Sequence, residues 1–259
     1  FKVRTGDSLV QRVGGKTFPV QGHDNLPSSI KHKVTRLKQR KRDYFHNKSD
    51  DYHLIEHAEL ALFRDILETE IDTRRKQIQI LKPKQLGMKE TRPEQAEPVI
   101  TKKAAVRCAV LEAEIAELQA QKRSLKSKRP FIWSIEFAEI FFDSEGFDII
   151  IGNPPYVRQE SITDPKELLT PKKYKDALLE MVRLDFPEHF ALSQTRPDRF
   201  GKGRKPSGRS DLYTYFYIRS LRLLNSGGVH VFICSNSWLD VGYGAWLQEF
   251  FLRQAPLPL

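Results

Sequence analysis

The stretch Gly146–Gln159, GFDIIIGNPPYVRQ, decides the fold class. The run of isoleucines from Ile149 to Ile151 predicts a short strand that is buried on both faces, as in a parallel sheet covered by helices. The strand ends at Gly152. The two prolines that follow fix the backbone φ and remove two N–H groups, so the turn offers hydrogen-bond acceptors and almost no donors.

This turn has the chemistry of a pocket for an exocyclic amine. The Asn153 side-chain oxygen and the Pro154 carbonyl can accept two hydrogen bonds from one –NH2 group, whereas a keto oxygen would find no donor. Tyr156 adds an aromatic face on which a nucleobase can stack. The pattern predicts adenine or cytosine as the guest. A turn of two prolines without a ligand is the alternative.

The same residues lie where a doubly wound α/β sheet places its ligands, beyond the carboxyl end of a strand. Acceptors that hold both N–H groups of an aromatic amine localise its lone pair, so no strong base is needed if the electrophile is potent. A sulfonium methyl group is such an electrophile, which predicts S-adenosylmethionine as the cofactor. The base would have to be rotated out of a duplex to reach the turn.

The composition of the 259-residue chain agrees with a nucleic-acid partner. Its formal charge is +10 and its pI is near 9.5, which indicates an anionic partner, although general solubility is the alternative. Cys108 and Cys234 are too few for a disulfide framework or a metal cluster, and no apolar stretch reaches membrane-spanning length. A reducing cytoplasm is expected. Because the sequence begins at Phe1, we expect it to be an excerpt of a longer polypeptide.

The first twenty residues predict a short strand, a turn at Gly6-Asp7-Ser8 and a hairpin at Gly14 and Gly15. The segment VGGKTF is similar to part of a phosphate loop. Val10 stands where a phosphate loop requires glycine, so a nucleotide triphosphatase is not expected.

The middle of the chain predicts two helices that pack against each other. A densely basic segment from Ile30 to Arg42 leads into apolar residues that recur at near-helical intervals from Ile55 to Ile80. After a proline-containing link, a second helix is expected from Thr101 to Lys126, with a narrow apolar seam. We expect an antiparallel helical hairpin whose helices bury each other's stripes. The alternative is that its basic ends touch phosphates.

The last third of the chain predicts an α/β crossover. A helix is expected from Asp211 to Leu224, with Ser210 or Asp211 as its N-cap and Gly227-Gly228 at its end, before the strand Val229–Ser235. The loop before this helix is rich in glycine, proline and basic residues. It is either solvated surface or a phosphate-contacting loop, and its candidate nucleic-acid-binding residues are Arg199, Lys202, Arg204, Lys205 and Arg209.

Four segments resemble one enzyme family. GFDIIIGNPPYVRQE, PFIWSIEFAEIF and DLYTYFYIRSLRLLNSGGVHVFICSNSWL resemble the core of the large bacterial adenine-specific DNA methyltransferases of restriction-modification and phage-exclusion systems. FKVRTGDSLV is similar to an earlier motif of that family. The resemblance implies an α/β fold with a partial Rossmann-like, doubly wound methyltransferase sheet and an inserted antiparallel helical hairpin. The implied divisions are 1–30, the start of the core; 31–129, the basic segment and hairpin; and 130–259, the catalytic core.

The resemblance also implies roles for individual residues. Asn153 and Pro154 would bind the target amine, and Tyr156 would stack on the flipped adenine. Gly6 and Asp7 would meet the adenine of S-adenosylmethionine, and the remaining cofactor-pocket candidates are Asp211 and Tyr213. Double-stranded DNA is the expected partner, with other restriction or defence subunits as further ones, and no metal or membrane is expected.

The family's glycine-bearing cofactor loop and its target-recognition domain have no counterpart in the sequence. We therefore expect the 259-residue piece alone to bind the cofactor poorly and to be inactive, while the full-length protein is a methyltransferase. Three alternatives stay open. They are a bifunctional restriction endonuclease-methyltransferase, an inactive relic or DNA-binding scaffold, and an enzyme that methylates protein glutamine amides.

Overall fold

The computed structural model describes residues 3–18, 20, 27–48, 52–81, 102–143, 146–190 and 206–254. Its helices are α1 (Ser28–Phe45), α2 (Tyr52–Leu81), α3 (Lys102–Ser124), α4 (Trp133–Glu136), α5 (Ala138–Asp143), α6 (Pro171–Asp185), α7 (Pro187–Phe190), α8 (Leu212–Leu223) and α9 (Ala245–Gln254). Its strands are β1 (Arg12–Val13), β2 (Lys16–Thr17), β3 (Phe147–Gly152) and β4 (Leu224–Phe232). Across this described part, no helix is long and apolar enough to cross a membrane.

The strands form two small sheets. β3 and β4 are parallel, with Ile149 opposite Val229 and Ile151 opposite Val231. Two parallel strands need a crossover connection, and here α6 and α8 lie in that connection. This mixture of helices and small sheets is consistent with an α/β methyltransferase. Only two strands of the parallel sheet lie in the described residues, so the complete doubly wound sheet remains a prediction.

The prediction that the isoleucine run is buried on both faces is wrong. Ile149 is 60% exposed and Ile151 is 76% exposed. The other face of the sheet packs on α8, where the Tyr217 ring lies 5.4 Å from that of Phe232. Alternate residues of a strand point to opposite faces, and no element in the described ranges covers the face that carries Ile149 and Ile151.

The second strand begins earlier than predicted. α8 ends at Leu223 and β4 starts at the next residue, so Gly227 and Gly228 lie inside the strand rather than at a helix end. A Cβ on Gly228 would lie 2.8 Å from the Phe147 carbonyl oxygen, so the close approach of the two strands requires glycine.

Two apolar cores support these elements. One joins α1, α2 and α3 and includes Phe63, Leu67 and Leu118, and the other joins α6, α8 and α9. α2 and α3 run antiparallel, since Arg74 of α2 bonds Glu114 of α3 at 2.6 Å and Ile78, further along α2, packs near the earlier α3 residue Cys108. Whether the pair is an insertion into the core remains a prediction.

A network of buried charges fixes the helical pair to the rest of the chain. Glu59 of α2 is 3% exposed and pairs with Lys41 of α1 and with Arg129. Arg129 also bonds Glu136 of α4 at 2.9 Å, and Arg4 bonds the same carboxylate at 2.9 Å. Removing one member would leave an unpaired charge in a buried place, which is strongly destabilising.

The short hairpin β1–β2 has the predicted glycines at its turn. Gly14 has φ 63° and Gly15 has φ 79°, and positive φ at both central residues is the requirement of a two-residue hairpin of the I′ type. Thr17 of β2 donates to Glu180 of α6 at 2.7 Å, which ties the hairpin to the core.

Candidate active site at the Asn-Pro-Pro-Tyr turn

The turn after β3 presents its polar and aromatic side chains outward. Pro154 is buried, whereas Asn153 is exposed and Tyr156 is 55% exposed. A Cβ on Gly152 would lie 2.8 Å from the Phe232 ring, so glycine lets the strand end pass close to β4. The buried proline holds the turn while the acceptor residue beside it remains accessible.

Asn153 borders a cleft of about 410 Å³. Pro154 and Pro155 line the same cleft, as do Trp133 and Phe137. Ser8 of the N-terminal turn also lines this cleft. An acceptor at the wall of an aromatic-lined cleft of this size suits a small planar ligand with one amine group.

Tyr156 is fixed by its hydroxyl group. That hydroxyl donates to the carbonyl oxygen of Ile233 at 3.1 Å, just beyond the end of β4. Its ring lies 6.5 Å from the ring of Tyr213, tilted by 50°. Tyr213 is buried, and its hydroxyl lies 3.1 Å from the Ser237 hydroxyl. Tyr156 is therefore held at its hydroxyl end, and the residue as a whole stays 55% exposed.

Asp211 braces the segment that follows the turn. It occupies the N-cap position of α8, but its carboxylate does not cap the helix. One oxygen accepts a hydrogen bond from the Gln159 backbone N–H at 3.0 Å, and the other accepts from the Tyr243 hydroxyl at 2.8 Å. The N–H of Leu212 donates to the Val157 carbonyl at 2.9 Å. The start of α8 thus holds the chain a few residues beyond Asn153.

The Gly6-Asp7-Ser8 turn lies beside the cleft, because its residue Ser8 lines the cleft. Asp7 Oδ1 accepts from the N–H groups of Leu9 and Val10 at 2.9 and 3.0 Å, and Oδ2 accepts from the Tyr174 hydroxyl at 2.9 Å. Burial raises the pKa of Asp7 above its usual value, although these three hydrogen bonds oppose the rise. Both carboxylate oxygens therefore have partners within the chain.

Gly6 is required by the close approach of another side chain. A Cβ at this position would lie 2.4 Å from the Cβ of Phe131. Phe131 in turn stands edge-on to Trp133, with ring centroids 4.9 Å apart, so the N-terminal turn rests directly on the aromatic wall of the cleft.

A buried ion pair that the sequence did not predict holds the same region. Arg219 of α8 donates to Asp185 of α6 at 2.9 Å and to the Leu9 carbonyl oxygen at 2.8 Å. Arg219 is 2% exposed and also lines the cleft. Burial raises the pKa of Asp185 to about 6 against the opposing effect of Arg219 and Arg222. The signal in the sequence was the place of Arg219 within the apolar stripe of α8, four residues after Tyr215 and four before Leu223.

The predicted nucleic-acid loop is described only at its end. Arg209 is exposed, whereas Arg199, Lys202, Arg204 and Lys205 lie outside the described residues. The roles of these residues, and the cofactor roles predicted for Gly6, Asp7, Asp211 and Tyr213, remain predictions.

The Eco57I restriction-modification methylase family model matches residues 52–182 and 188–257 of the chain. These two segments make up well over half of the 259 residues and include both strands of the parallel sheet and the Asn-Pro-Pro-Tyr turn. No solved structure gives a significant match.

Three curated relatives are similar over part of the chain. Type II methyltransferase M.XhoI of Xanthomonas vasicola is 36% identical over 111 residues, and type II methyltransferase M.PaeR7I of Pseudomonas aeruginosa is 34% identical over 103 residues. A putative type II restriction enzyme and methyltransferase, RM.MjaORFECS2P of Methanocaldococcus jannaschii, is 31% identical over 126 residues.

These alignments cover 43%, 40% and 48% of the chain, respectively. They span only 15%, 13% and 8% of the relatives' own lengths.

Proposed function

This chain belongs to the Eco57I restriction-modification methylase family, and from that membership we propose that the full-length protein is a site-specific DNA methyltransferase. It transfers a methyl group from S-adenosylmethionine to the N6 amine of an adenine that is rotated out of double-stranded DNA. The observation that supports this most is the position of Asn153, which is exposed beside the buried Pro154 at the wall of the cleft. The protein acts in the cytoplasm, in restriction-modification or phage defence.

The turn binds and orients the target amine. Asn153 Oδ1 and the Pro154 carbonyl oxygen accept its two N–H groups, which localises the nitrogen lone pair and aims it at the donor. Tyr156 stacks on the extruded base, which offsets part of the cost of removing it from the duplex. The amine nitrogen would gain the methyl group as the carbon–sulfur bond of the sulfonium breaks and a neutral thioether leaves, and the nitrogen would lose one proton to water.

The cofactor supplies a sulfonium methyl group, and the N-terminal turn is the part of this chain that would hold its adenine. Asp7 Oδ2 accepts a single hydrogen bond from Tyr174 and keeps capacity for a second donor, which suits an adenine amine. Gly6 lets this turn lie close to the aromatic wall. Asp211 and Tyr213 remain candidates for the border of the cofactor pocket.

Asn153→Ala in the full-length protein tests this proposal. We expect methyl transfer to fall by about 100-fold or more, because the aligned acceptor is lost, while cofactor affinity stays within about threefold of the wild type. The measurement is mass spectrometry of digested DNA, which separates N6-methyladenine from methylated cytosine. Asn225→Ala is the matched control, since Asn225 bonds Asp148 near the far end of β3.

Three outcomes would contradict the proposal. They are a wild-type protein that leaves every adenine unmodified, an Asn153→Ala variant with normal transfer, and a variant that has lost cofactor binding. Methylated glutamine in protein substrates, with unmodified DNA, would assign the turn to a different amide substrate.

A bifunctional enzyme that also cleaves DNA is the second candidate. The name of the Methanocaldococcus jannaschii relative combines a putative restriction enzyme with a methyltransferase. A Mg²⁺-dependent cleavage assay on the full-length protein separates the two, because a methyltransferase alone leaves the duplex intact.

A further inference from the structure

Helix α1 is the most basic element that the structure describes. Its 18 residues contain seven lysines and arginines and one aspartate. Ile30, Val34 and Leu37 are each no more than 3% exposed, so this side of the helix packs into the core that α1 shares with α2. On the opposite side of the helix His32 and Arg36 are exposed and Arg40 is half-buried.

A row of basic side chains without partners runs along that outer side. His32, Arg36 and Arg40 stand four residues apart, which places successive members about 6 Å apart along the helix axis. Within the described part of the chain, none of the three has an ion pair or a side-chain hydrogen bond. By contrast, Lys33 at the edge of this side pairs with Asp65 of α2 at 2.5 Å.

Another basic side chain of α1 lies on a different side of the helix. Lys38 has no carboxylate partner among the described residues, and burial lowers its pKa. The aspartate of the helix, Asp43, is engaged by the side chain of Gln39 at 2.9 Å. In α2 and α3 the basic residues Arg74, Arg75 and Lys122 have acidic partners, whereas the outer row of α1 has none among the described residues and is open to an external anion.

This surface is next to the elements that form the cleft. α1 packs against α4 and α5, and Lys41 of α1 donates to the Ile135 carbonyl of α4 at 2.5 Å. Trp133 of α4 lines the cleft, as does Phe137 just after it. Packed helix axes lie about 8–10 Å apart, so the row on α1 lies one helix away from the cleft wall.

We propose that the outer row of α1, His32, Arg36 and Arg40, contacts backbone phosphates of the same DNA that delivers its base to the cleft, an inference that rests on the proposed function. A strand of duplex DNA carries one phosphate about every 3.4 Å along its axis, so cations spaced by one helical turn can meet phosphates of one strand. The contact holds the duplex in place and reads no sequence.

Two features favour DNA over other anionic partners. A membrane-surface helix needs a free apolar face, and that of α1 is already buried against α2. Exposed aromatic rings stand at the end of the helix beside the cations, namely Tyr44 (39% exposed), Phe45 (60%) and, from α2, Tyr52 (41%). Exposed aromatic rings next to basic side chains are typical of surfaces that bind nucleic acid with unpaired bases, such as a duplex from which a base has been rotated out.

The test is the salt dependence of DNA binding by the full-length protein carrying Arg36→Gln and Arg40→Gln. Each phosphate contact contributes about 0.9 to the slope of log K against log salt, so the slope should become shallower by about 1.8. The affinity ratio between wild type and variant should then shrink about 12-fold as salt rises from about 50 to about 200 mM. Fluorescence anisotropy of a labelled duplex measures this without catalysis.

Two further variants make the result specific. Lys76→Gln with Arg107→Gln removes the same charge from exposed positions, and residue 76 lies about 16 Å along α2 from Asp65, which pairs with α1. This control should keep the wild-type slope. Arg36→Lys with Arg40→Lys should also keep it, because a phosphate contact needs the charge. If the double glutamine variant fails to fold, Arg36→Gln alone should lower the slope by about 0.9.

An unchanged slope in the double glutamine variant would overturn the inference. The row would then contact an acidic protein partner or solvent instead of DNA. Equal effects in the control would overturn it too, since only net charge would then matter. Normal methylation with an unchanged slope refutes the role of α1 alone. A shallower slope in the double glutamine variant, together with a wild-type protein that methylates no adenine, refutes the proposed function alone.

Discussion

The contacts of Asp211 predict that its carboxylate positions the candidate active site. Asp211→Ala would remove the acceptors of the Gln159 N–H and of the Tyr243 hydroxyl. A hydrogen bond to a charged group contributes about 1.5–3 kcal/mol, and water can replace part of the bond to the half-buried Tyr243. We therefore expect Asp211→Ala to lower the free energy of unfolding by about 2–4 kcal/mol.

A double-mutant cycle isolates the contact between the two side chains. Tyr243→Phe alone should cost about 1 kcal/mol, and the coupling energy between it and Asp211→Ala should also be about 1 kcal/mol. Urea unfolding of the full-length single and double variants gives these values. The same variants should transfer methyl groups more slowly, because the segment after Tyr156 loses its brace, while the Kd for the cofactor stays within about threefold.

Two results would refute this reasoning. A coupling energy of zero would mean that Asp211 and Tyr243 do not bond in the folded protein. A cofactor Kd that rises about tenfold or more in Asp211→Ala, with little change in stability, would make Asp211 a cofactor-binding residue, as the sequence resemblance implies. The experiment therefore separates a binding role from a positioning role for the same carboxylate.

Two other substitutions test the site and its support. Tyr156→Ala should lower the rate of methyl transfer to a paired adenine about 5- to 150-fold, because about 1–3 kcal/mol of stacking is lost, and should lower the rate on a mismatched adenine less. Tyr156→Phe should transfer at a nearly normal rate. Equal losses of methylation rate on both DNAs would show that Tyr156 does not act by stacking. Burial raises the folded-state pKa of Asp185 from 3.8 to about 6. Between these pH values the folded protein binds more protons than the unfolded one, so the contribution of Asp185 to stability falls as the pH rises. Asp185→Asn should remove a decline of about 3 kcal/mol between about pH 4 and pH 7 in urea unfolding, and an identical pH dependence in both proteins would contradict the assignment.

Local signals in the sequence predicted the bounds of two helices well. α3 covers Lys102–Ser124 and α8 covers Leu212–Leu223, and each end lies within two residues of its predicted bound. Apolar periodicity and helix-ending residues act over a few positions, so the sequence contains them directly. The burial of Ile149 and Ile151 was not a local property, because it depends on which elements cover the second face of the sheet.

Helix α6 was not predicted, although the sequence contains its start signals. Thr170 is the N-cap, its side chain accepts from the Lys173 N–H at 3.4 Å, and Pro171 occupies the first turn. Buried residues then recur along one side, including Leu178 and Val182. A threonine followed by a proline before an apolar stripe is a recognised helix start, so this element could have been found.

The sequence predicted the Asn-Pro-Pro-Tyr turn for a reason that does not extend to the residues that hold it in place. Two prolines and a glycine fix the backbone around Asn153 by their own covalent geometry, so the tetrapeptide alone predicts an acceptor turn. The brace from Asp211 to Gln159 spans 52 residues, and the bond from Arg219 to Leu9 spans 210. Such pairings arise only when the chain folds, and a single sequence does not contain them. Loss of activity on mutating the motif therefore cannot separate chemistry from positioning, whereas variants at Asp211 can, because they change the support of the turn and leave its side chains chemically unchanged.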